Sequence, residues 1–566
     1  MSPRPAPLPR SWRLVTVVVG WLLIVWCTQE SAPPQPESAV DPACFAANRA
    51  HDELVRFVGD GTPRAVGSPG HDAAEQRLLQ RVREMGLEPT IQRFVARGWN
   101  RSAIEMHNIL VEVPGRESTD APLPMLWAHW DGVPSGPAAG DNGVGVACAL
   151  ESIRALVADP PQRAVLVVFT DGEEVGLWGA RRFAEEHPCW MRAGAIVNLD
   201  ARGSSGAAIL FETGGDTPSH ARLIAAIDAP ACSTSLAAEA YRLMPNNTDF
   251  TVAVRTGRPG FNIAFIGSPR NYHTANDRVD QVELATIGQM GTTALSLLRS
   301  LAAGSPPMPT RSEHAEWTVD SGTPSQRGAV WFNALGGPIV RWDWWASIAL
   351  LLCAILSTIA VVCDGCDCGL RAILRDATLL AAGLLLAASS GWIFSAAARW
   401  IAPDSFPWPT ATSVWILAAV VIGAIAAWTP RLLAWRISSR SGAALHTDGS
   451  SGQTALWSTM IAANVLTILL AAVVLIFAPG AVHPLLLPAV AGSVALLFIR
   501  RRTRLPDAAA AAATLLAIAA WAPLEAMFHD AFGTALGIFS CVRGALVALP
   551  ATVLILPMSS CSLGAR

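Results

Sequence analysis

Charged residues are scarce in this chain of 566 residues. They make up 15% of the sequence, compared with about 25% in ordinary soluble domains. Hydrophobic residues make up 52% of the chain, and its mean hydropathy is +0.37. This composition excludes a single water-soluble globule and indicates that a large part of the chain lies in lipid.

The sequence also lacks lysine, a strong net charge and a dense set of cysteines. All 41 basic side chains are arginine, and the formal net charge is −3. That charge gives no broad electrostatic reason to bind nucleic acid, so we expect no nucleic-acid partner. The 11 cysteines are too few for a disulfide-stapled secreted scaffold.

Composition divides the chain into five segments. Arginines precede an apolar run near the N-terminus, as in an export signal or a membrane anchor, and cleavage after it is left open. The next segments alternate between linkers rich in Pro and Ser and regions with long apolar stretches. The expected segments are an N-terminal signal anchor or signal peptide (1–28), a linker (29–41), a globular domain (42–303), a second linker (304–341) and a transmembrane domain (342–566).

About seven apolar stretches in the last segment predict membrane-spanning helices. They cover residues 344–363, 377–397, 412–428, 457–478, 484–499, 508–524 and 533–557. Arginines are concentrated in alternate connections, which the positive-inside rule places in the cytoplasm. We therefore expect a multi-pass membrane protein in the bilayer with residues 29–343 outside the cytoplasm, periplasmic in a bacterium and lumenal in a eukaryote. Nothing in the sequence specifies an oligomeric state.

Residues 42–303 have the pattern of an α/β domain. Short apolar runs at 165–169 and 195–199 are typical of buried parallel strands. Residues 143–159 carry apolar side chains at helical spacing. The pattern predicts a mixed, mostly parallel sheet flanked by helices, joined to an all-α transmembrane region.

Acidic and imidazole side chains follow several of these apolar runs. Because the carboxyl ends of parallel strands meet in one crevice, we expect these groups to converge. Two imidazoles and three carboxylates suit a pair of divalent ions of the zinc type. The candidate residues are His129 and Asp131 in AHWD, Asp141 in GDNGVG, Glu173 and Glu174 in FTDGEEVGL, Asp200 in NLDARG and His273 in NYHT.

The segments AHWDGVPSGPAAGDNGVGVA, NNTDF and FNIAFIGSPRNYHTANDRVD resemble the di-zinc aminopeptidase family, the aminopeptidase Y and bacterial leucyl aminopeptidase type. The likeness covers about residues 45–300 and is greatest to the membrane-embedded subgroup of vacuolar membrane protease and endoplasmic reticulum metallopeptidase. It implies a zinc-exopeptidase-like fold and two zinc ions per chain. It also implies that His129 and Asp200 bind one ion, that Glu174 and His273 bind the other, and that Asp141 bridges both.

The resemblance further implies that Glu173 is the general base and that Asp131 orients His129. Two zinc ions can lower the pKa of a shared water, so that hydroxide attacks the peptide carbonyl at neutral pH. A carboxylate that is not a ligand then moves the proton to the leaving amine. The expected function is that of a membrane-bound zinc metalloprotease, an aminopeptidase that hydrolyses the N-terminal bonds of peptides.

Other functions stay open at this point. Carboxypeptidase or glutaminyl cyclase-type amide chemistry could use the same metal site. A non-catalytic receptor or transport-associated protein could keep the fold. The oxyanion-stabilising tyrosine of the family has no clear counterpart, because the chain contains only Tyr241 and Tyr272. Tyr241 is the better candidate, with packing as the alternative role, and Asp249 in NNTDF is interpreted as a turn or cap.

Overall fold

The computed structural model describes most of the residues between 41 and 500. The described ranges are 41–214, 217–227, 232–242, 244, 246–304, 329–333, 339–363, 369–401, 412–440, 451–500, 540–542 and 545–546. They fall into two compact units, one within Glu30–Asp343 and one that begins at Trp344. The predicted N-terminal anchor and the predicted span at 508–524 lie outside the described residues, as does nearly all of the span at 533–557.

The first unit is built on an eight-stranded sheet with helices on both faces. Its strands are β1 (Thr90–Arg97), β2 (Ala103–Val113), β3 (Leu123–His129), β4 (Val165–Thr170), β5 (Ala193–Ala201), β6 (Ser205–Gly214), β7 (Cys232–Ser233) and β8 (Gly260–Gly267). Its helices are α1 (Ala47–Val58), α2 (Pro69–Glu84), α3 (Gly145–Ala158), α4 (Trp178–Glu186), α5 (Thr217–Ala226), α6 (Ser235–Arg242), α7 (Asp249–Arg255) and α8 (Leu284–Ala302).

The spatial order of the strands is β1-β2-β4-β3-β5-β8-β6-β7. The central strands β4, β3, β5 and β8 pair in parallel, whereas β1, β2 and β6 add antiparallel pairings. The predicted mixed, mostly parallel sheet is confirmed. Its parallel centre matters for function because it brings four strand ends to one edge.

The sheet is buried on both faces, which explains the continuous apolar runs of its central strands. Every residue of β3 and of β4 is buried. Helices α1, α3 and α8 pack together over one core cluster, and α4 and α7 pack together over a second. The large apolar area removed from water on both faces holds the strand ends in fixed positions.

A short antiparallel pair extends this unit beyond the globular segment predicted from composition. Strands β9 (Ala329–Asn333) and β10 (Ile339–Asp343) pair with each other, and Phe332 forms an isolated bridge with Thr234. The indole N–H of Trp331 donates to the Ser233 hydroxyl at 2.8 Å, and the ring is buried. The stretch expected to be a linker over 304–341 therefore contains folded residues.

The second unit consists of apolar helices. They are α9 (Trp344–Cys363), α10 (Leu370–Ile401), α11 (Thr412–Arg440), α12 (Ser451–Phe477) and α13 (His483–Arg500). Within the described residues, three segments are long and apolar enough to cross a membrane: Trp344–Cys363, Leu370–Ile401 and Ser458–Phe477. Two apolar helical segments are shorter, Ala418–Ala434 and His483–Leu497.

A buried acid joins three of these helices at one end of the unit. Asp376 of α10 accepts hydrogen bonds from the hydroxyls of Ser458 and Thr459 on α12, at 2.6 and 3.0 Å. Arg431 of α11 donates to Thr459 at 3.1 Å. The start of α10, the C-terminal part of α11 and the start of α12 therefore lie together. These polar contacts offset the cost of placing an acid among apolar helices.

Candidate metal centre

The candidate ligands lie at the carboxyl edge of the parallel strands. His129 is the last residue of β3, and Asp200 is the last but one of β5. Glu174 follows β4, and His273 follows β8. Asp141 lies in the turn that leads into α3, and its own backbone is not helical. The sheet topology thus brings together residues that are far apart in sequence.

His129, Asp141 and Asp200 form the first group of donor atoms. The Nε2 atom of His129 lies 3.2 Å from Asp141 Oδ1 and 3.7 Å from Asp200 Oδ1. All three side chains are buried. Their donor atoms lie within 4.8 Å of one another, which is a spacing that one metal ion can bridge.

Asp141, Glu174 and His273 form the second group. His273 Nε2 lies 3.0 Å from Asp141 Oδ2 and 3.2 Å from Glu174 Oε2. Asp141 therefore directs one carboxylate oxygen to each group. The second oxygen of Glu174 is buried and has no hydrogen-bond partner among the described residues. This arrangement fits two cations that share Asp141.

The electrostatics of the site also fit bound cations. Burial and the nearby charge of Asp141 raise the pKa of Glu174 to about 7. Burial alone would lower the pKa of His273, but its hydrogen bonds with Asp141 and Glu174 raise it to about 10. Close carboxylates in a buried site need positive charge, which protons or metal ions can supply. Metal binding at this site should therefore release protons.

Asp131 connects a candidate ligand to the loop that carries Glu173 and Glu174. Its Oδ1 atom lies 3.5 Å from His129 Nδ1. Its carboxylate also accepts the backbone N–H groups of Glu173 and Glu174, at 3.1 and 3.3 Å. A carboxylate on the far side of a ligating imidazole fixes the orientation of the ring, so this geometry suits the orienting role expected of Asp131.

Glu173 lies beside the two groups of donors without belonging to either. Burial raises its pKa well above the usual value, His129 opposes that shift, and Asp200 and Asp249 add to it. Its carbonyl oxygen accepts the N–H groups of Gly176 and Leu177. Glu173 therefore lies close to the candidate ligands and outside both groups of donors.

Two residues that sequence reasoning missed shape the turn at Asp141. Asp277 accepts the N–H groups of Gly140 and Asp141, at 2.6 and 3.1 Å. The buried guanidinium of Arg64 donates to the carbonyl oxygens of Trp130, Pro137 and Ala138. A Cβ at Gly140 would lie 2.2 Å from the Gly203 carbonyl oxygen, so this position requires glycine.

A second missed contact supports the loop after β4. His71 Nε2 lies 2.8 Å from Asp171 Oδ1, and the imidazole stacks on Trp130 with ring centroids 4.1 Å apart. Asp171 also accepts the N–H of His107 at 2.7 Å. The sequence pattern contains no signal for this contact, because His71 is on α2 and Asp171 follows a strand.

Comparison with known families identifies this part of the chain. Residues 108–298 match the model of peptidase family M28. The chain contains an M28 peptidase domain. The match includes all of the candidate ligands, and it confirms the resemblance expected from the sequence.

Curated relatives of the chain include membrane proteases. It is 31% identical to the vacuolar membrane protease of Eremothecium gossypii over 316 residues, which cover 51% of this chain and 30% of that protein. It is 28% identical to endoplasmic reticulum metallopeptidase 1 of Mus musculus over 280 residues, or 46% of this chain and 31% of that protein. The chain thus matches less than a third of the length of either relative.

Solved structures similar to this chain include two bacterial enzymes. The glutaminyl cyclase of Porphyromonas gingivalis is 22% identical, with a TM-score of 0.37, over 45% of this chain and 99% of that one. A Zn-dependent exopeptidase of Parabacteroides distasonis is 19% identical, with the same TM-score, over 46% of this chain and 99% of that one.

The two tyrosines of the chain lie in different surroundings. Tyr272 stacks on His273 with ring centroids 3.7 Å apart. Tyr241 makes an edge contact with Phe211, and its hydroxyl is buried. Asp249 is the first residue of α7, where its carboxylate accepts a hydrogen bond from the Thr170 hydroxyl. The capping box at this helix is formed by Thr248 and Thr251 instead.

Proposed function

We propose that this chain is a membrane-bound zinc aminopeptidase that removes N-terminal residues from peptides. The observation that supports the proposal most is the convergence of five donors into two groups that share Asp141. The M28 domain and the candidate membrane spans agree with it. We include in this proposal both exopeptidase action and two zinc ions per chain.

In this proposal, His129 and Asp200 hold one ion, Glu174 and His273 hold the other, and Asp141 bridges both. Two zinc ions bound there would lower the pKa of a shared water and polarise the scissile carbonyl. Three carboxylates and two imidazoles are the donor types that zinc accepts. The shared Asp141 fixes the spacing of the two groups because its oxygens point to different histidines.

Glu173 takes the proton from the attacking water and passes it to the leaving amine. Its neighbour Glu174 is committed to the second donor group, 3.2 Å from His273. Asp131 positions both residues through their backbone N–H groups and orients His129 from the opposite side. A single carboxylate thus aligns the base with the ligands.

We also propose that the M28 domain lies outside the cytoplasm. Arg371 and Arg375 are in the first turns of α10, and Arg431 of α11 lies at the same end of the helical unit. Arginines of this kind mark the cytoplasmic end of membrane helices. Helix α9 runs from Trp344 toward that end. A periplasmic reporter such as alkaline phosphatase, fused after residue 343, is expected to be active, and an inactive reporter at normal expression would contradict this orientation.

Hydrolysis of aminoacyl-coumarylamides by the purified full-length protein tests the proposed activity. We expect release of the fluorophore, loss of that release after chelation, and recovery when zinc is added back. N-acetylated versions of the same substrates should not be cleaved, because an aminopeptidase requires a free α-amine. Cleavage of the acetylated substrates would contradict exopeptidase action, and cyclisation of N-terminal glutamine without hydrolysis would favour glutaminyl cyclase-type chemistry.

A further inference from the structure

A chain of amide side chains leads away from the candidate metal centre across the sheet. Asn198 lies two residues before Asp200 on β5, and it donates to Asn262 of β8 at 2.9 Å. Asn262 in turn donates to Glu212 Oε2 of β6 at 2.9 Å and to the Thr248 hydroxyl at 2.8 Å. Because alternate residues of a strand share a face, Asn198 and Asp200 lie on the same face of the sheet. Glu212 is therefore held on the face that carries the metal site.

Glu212 is a carboxylate without a cationic partner among the described residues. Within that part of the chain, Asn262 is the one side chain that hydrogen-bonds to it, and burial raises its pKa to about 7. The ionised form of a carboxylate that is shielded from water is stabilised by a positive charge in contact with it. Two further buried acceptors nearby also have no partner in the described structure: Asn198 Oδ1 and Asp249 Oδ1.

Two aromatic residues, Phe211 and Tyr241, neighbour Glu212. The register of β6 and β8 shifts between Leu210 and Glu212, so Phe211 occupies a bulge. Bulges re-aim side chains and are frequent next to active sites. The Phe211 ring meets the Tyr241 ring at 4.6 Å. Aromatic walls of this kind accept the apolar stem of a basic side chain.

The electrostatic environment of Tyr241 includes both Glu212 and residues of the candidate metal centre. Burial raises the pKa of its hydroxyl, and the charges of Glu212, Asp200 and Glu173 all raise it further. The charges of Glu212 and of the candidate metal centre therefore both act on the Tyr241 hydroxyl.

The register of the strands sets the separation between these sites. Asn198 pairs with Asn262, which pairs with Glu212, so Glu212 is two strands away from β5. From strand spacings of about 4.8 Å and a rise of about 3.3 Å per residue, the Cα atoms of Glu212 and Asp200 are about 12 Å apart. The side chain of a lysine or arginine, together with that of glutamate, can bridge such a distance.

We propose that Glu212 selects substrates whose N-terminal residue is basic. The carboxylate binds the ammonium or guanidinium group of that residue, and Phe211 and Tyr241 contact its methylene stem. This inference rests on the proposed aminopeptidase function, because it places the scissile bond at the metal centre. It adds to that function a substrate class, peptides that begin with lysine or arginine.

Substrates matched in length but not in charge test this proposal. We expect the full-length protein to cleave lysyl- and arginyl-coumarylamide with a kcat/KM at least about tenfold above that for norleucyl-coumarylamide. The Glu212→Gln variant keeps the shape of the side chain and removes its charge. In that variant the ratio of lysyl to norleucyl kcat/KM should fall to about one. Glu112→Gln, an exposed glutamate of β2 paired with Arg192, is the matched control and should retain the wild-type ratio.

Binding provides a readout that does not depend on catalysis. Calorimetry on the zinc-loaded Glu173→Gln variant should give tighter binding of L-lysinamide than of L-norleucinamide, and adding Glu212→Gln should remove that difference. Cleavage of both substrates by the wild type without a preference for basic residues would overturn the inference, even if the variant failed to fold. Selective binding of L-lysinamide without cleavage of any substrate would support the pocket and contradict the proposed function.

Discussion

Replacement of Glu173 by Gln is expected to lower kcat by about 10² to 10⁴-fold, the range usually lost with a general base. The amide is nearly isosteric with the carboxylate but cannot accept the proton of the attacking water. Zinc content should stay at two per chain, because Glu173 belongs to neither donor group. Elemental analysis and kcat on an aminoacyl-coumarylamide, measured on the same preparation, check both parts of this prediction.

The neighbouring Glu174→Gln variant provides a contrast to Glu173→Gln. It should lose activity together with metal, because Glu174 Oε2 lies 3.2 Å from His273 and serves the second donor group. Glu185→Gln, an exposed glutamate of α4, serves as the neutral control and should behave as wild type. Full activity of Glu173→Gln would remove Glu173 from its proposed role, and loss of zinc from that variant would mean that it is a ligand instead.

Replacement of Asp141 by Asn is expected to lower peptidase activity at least as much as Glu173→Gln does. Asp141 supplies one oxygen to each donor group, so the variant should bind at most one zinc ion tightly. Losing the bridge removes several kcal/mol of transition-state stabilisation, which corresponds to a decrease in kcat/KM of about 10³-fold or more. Zinc titration against a competing chelator, followed by the peptidase assay, measures both effects.

Asp280→Asn is a suitable control for this variant. Asp280 is an exposed residue paired with Arg278, close in sequence to the loop that supports Asp141. The control should bind two zinc ions and retain wild-type activity. If Asp141→Asn bound two zinc ions with unchanged affinity and activity, the bridging role would be wrong.

The sequence predicts the core of the fold because local pattern and tertiary position agree there. Fully apolar runs such as Val165–Thr170 are buried on both faces, which is what a central parallel strand requires. The polar residues that follow these runs then have to lie at one edge of the sheet. For this reason His129, Asp200 and Glu174 can be grouped from the sequence alone.

The supporting contacts could not be predicted in this way. Arg64, Asp277 and His71 act through partners that are distant in sequence, and their side chains have no periodic pattern that marks them. Glu212 was missed for a related reason. Its position beside the site follows from the register of β6 against β8, including a bulge, and register depends on the whole sheet.

The helical unit illustrates a limit of hydropathy. The predicted span at 377–397 is shorter than α10, Leu370–Ile401. Hydropathy excluded the first turns because they contain Arg371, Arg375 and Asp376. In the structure Asp376 is buried and accepts hydrogen bonds from α12, so the helix continues through these charged residues. Such pairing between helices cannot be read from a single apolar run.

A crystal structure of the zinc-loaded protein with anomalous data at the zinc edge tests the central claim most directly. Our account predicts two peaks per chain, about 3.5–4 Å apart. One should lie between His129 and Asp200 and the other between Glu174 and His273, with Asp141 in contact with both. A fully loaded crystal with a single zinc peak, or with zinc bound only elsewhere, would contradict the shared two-metal centre.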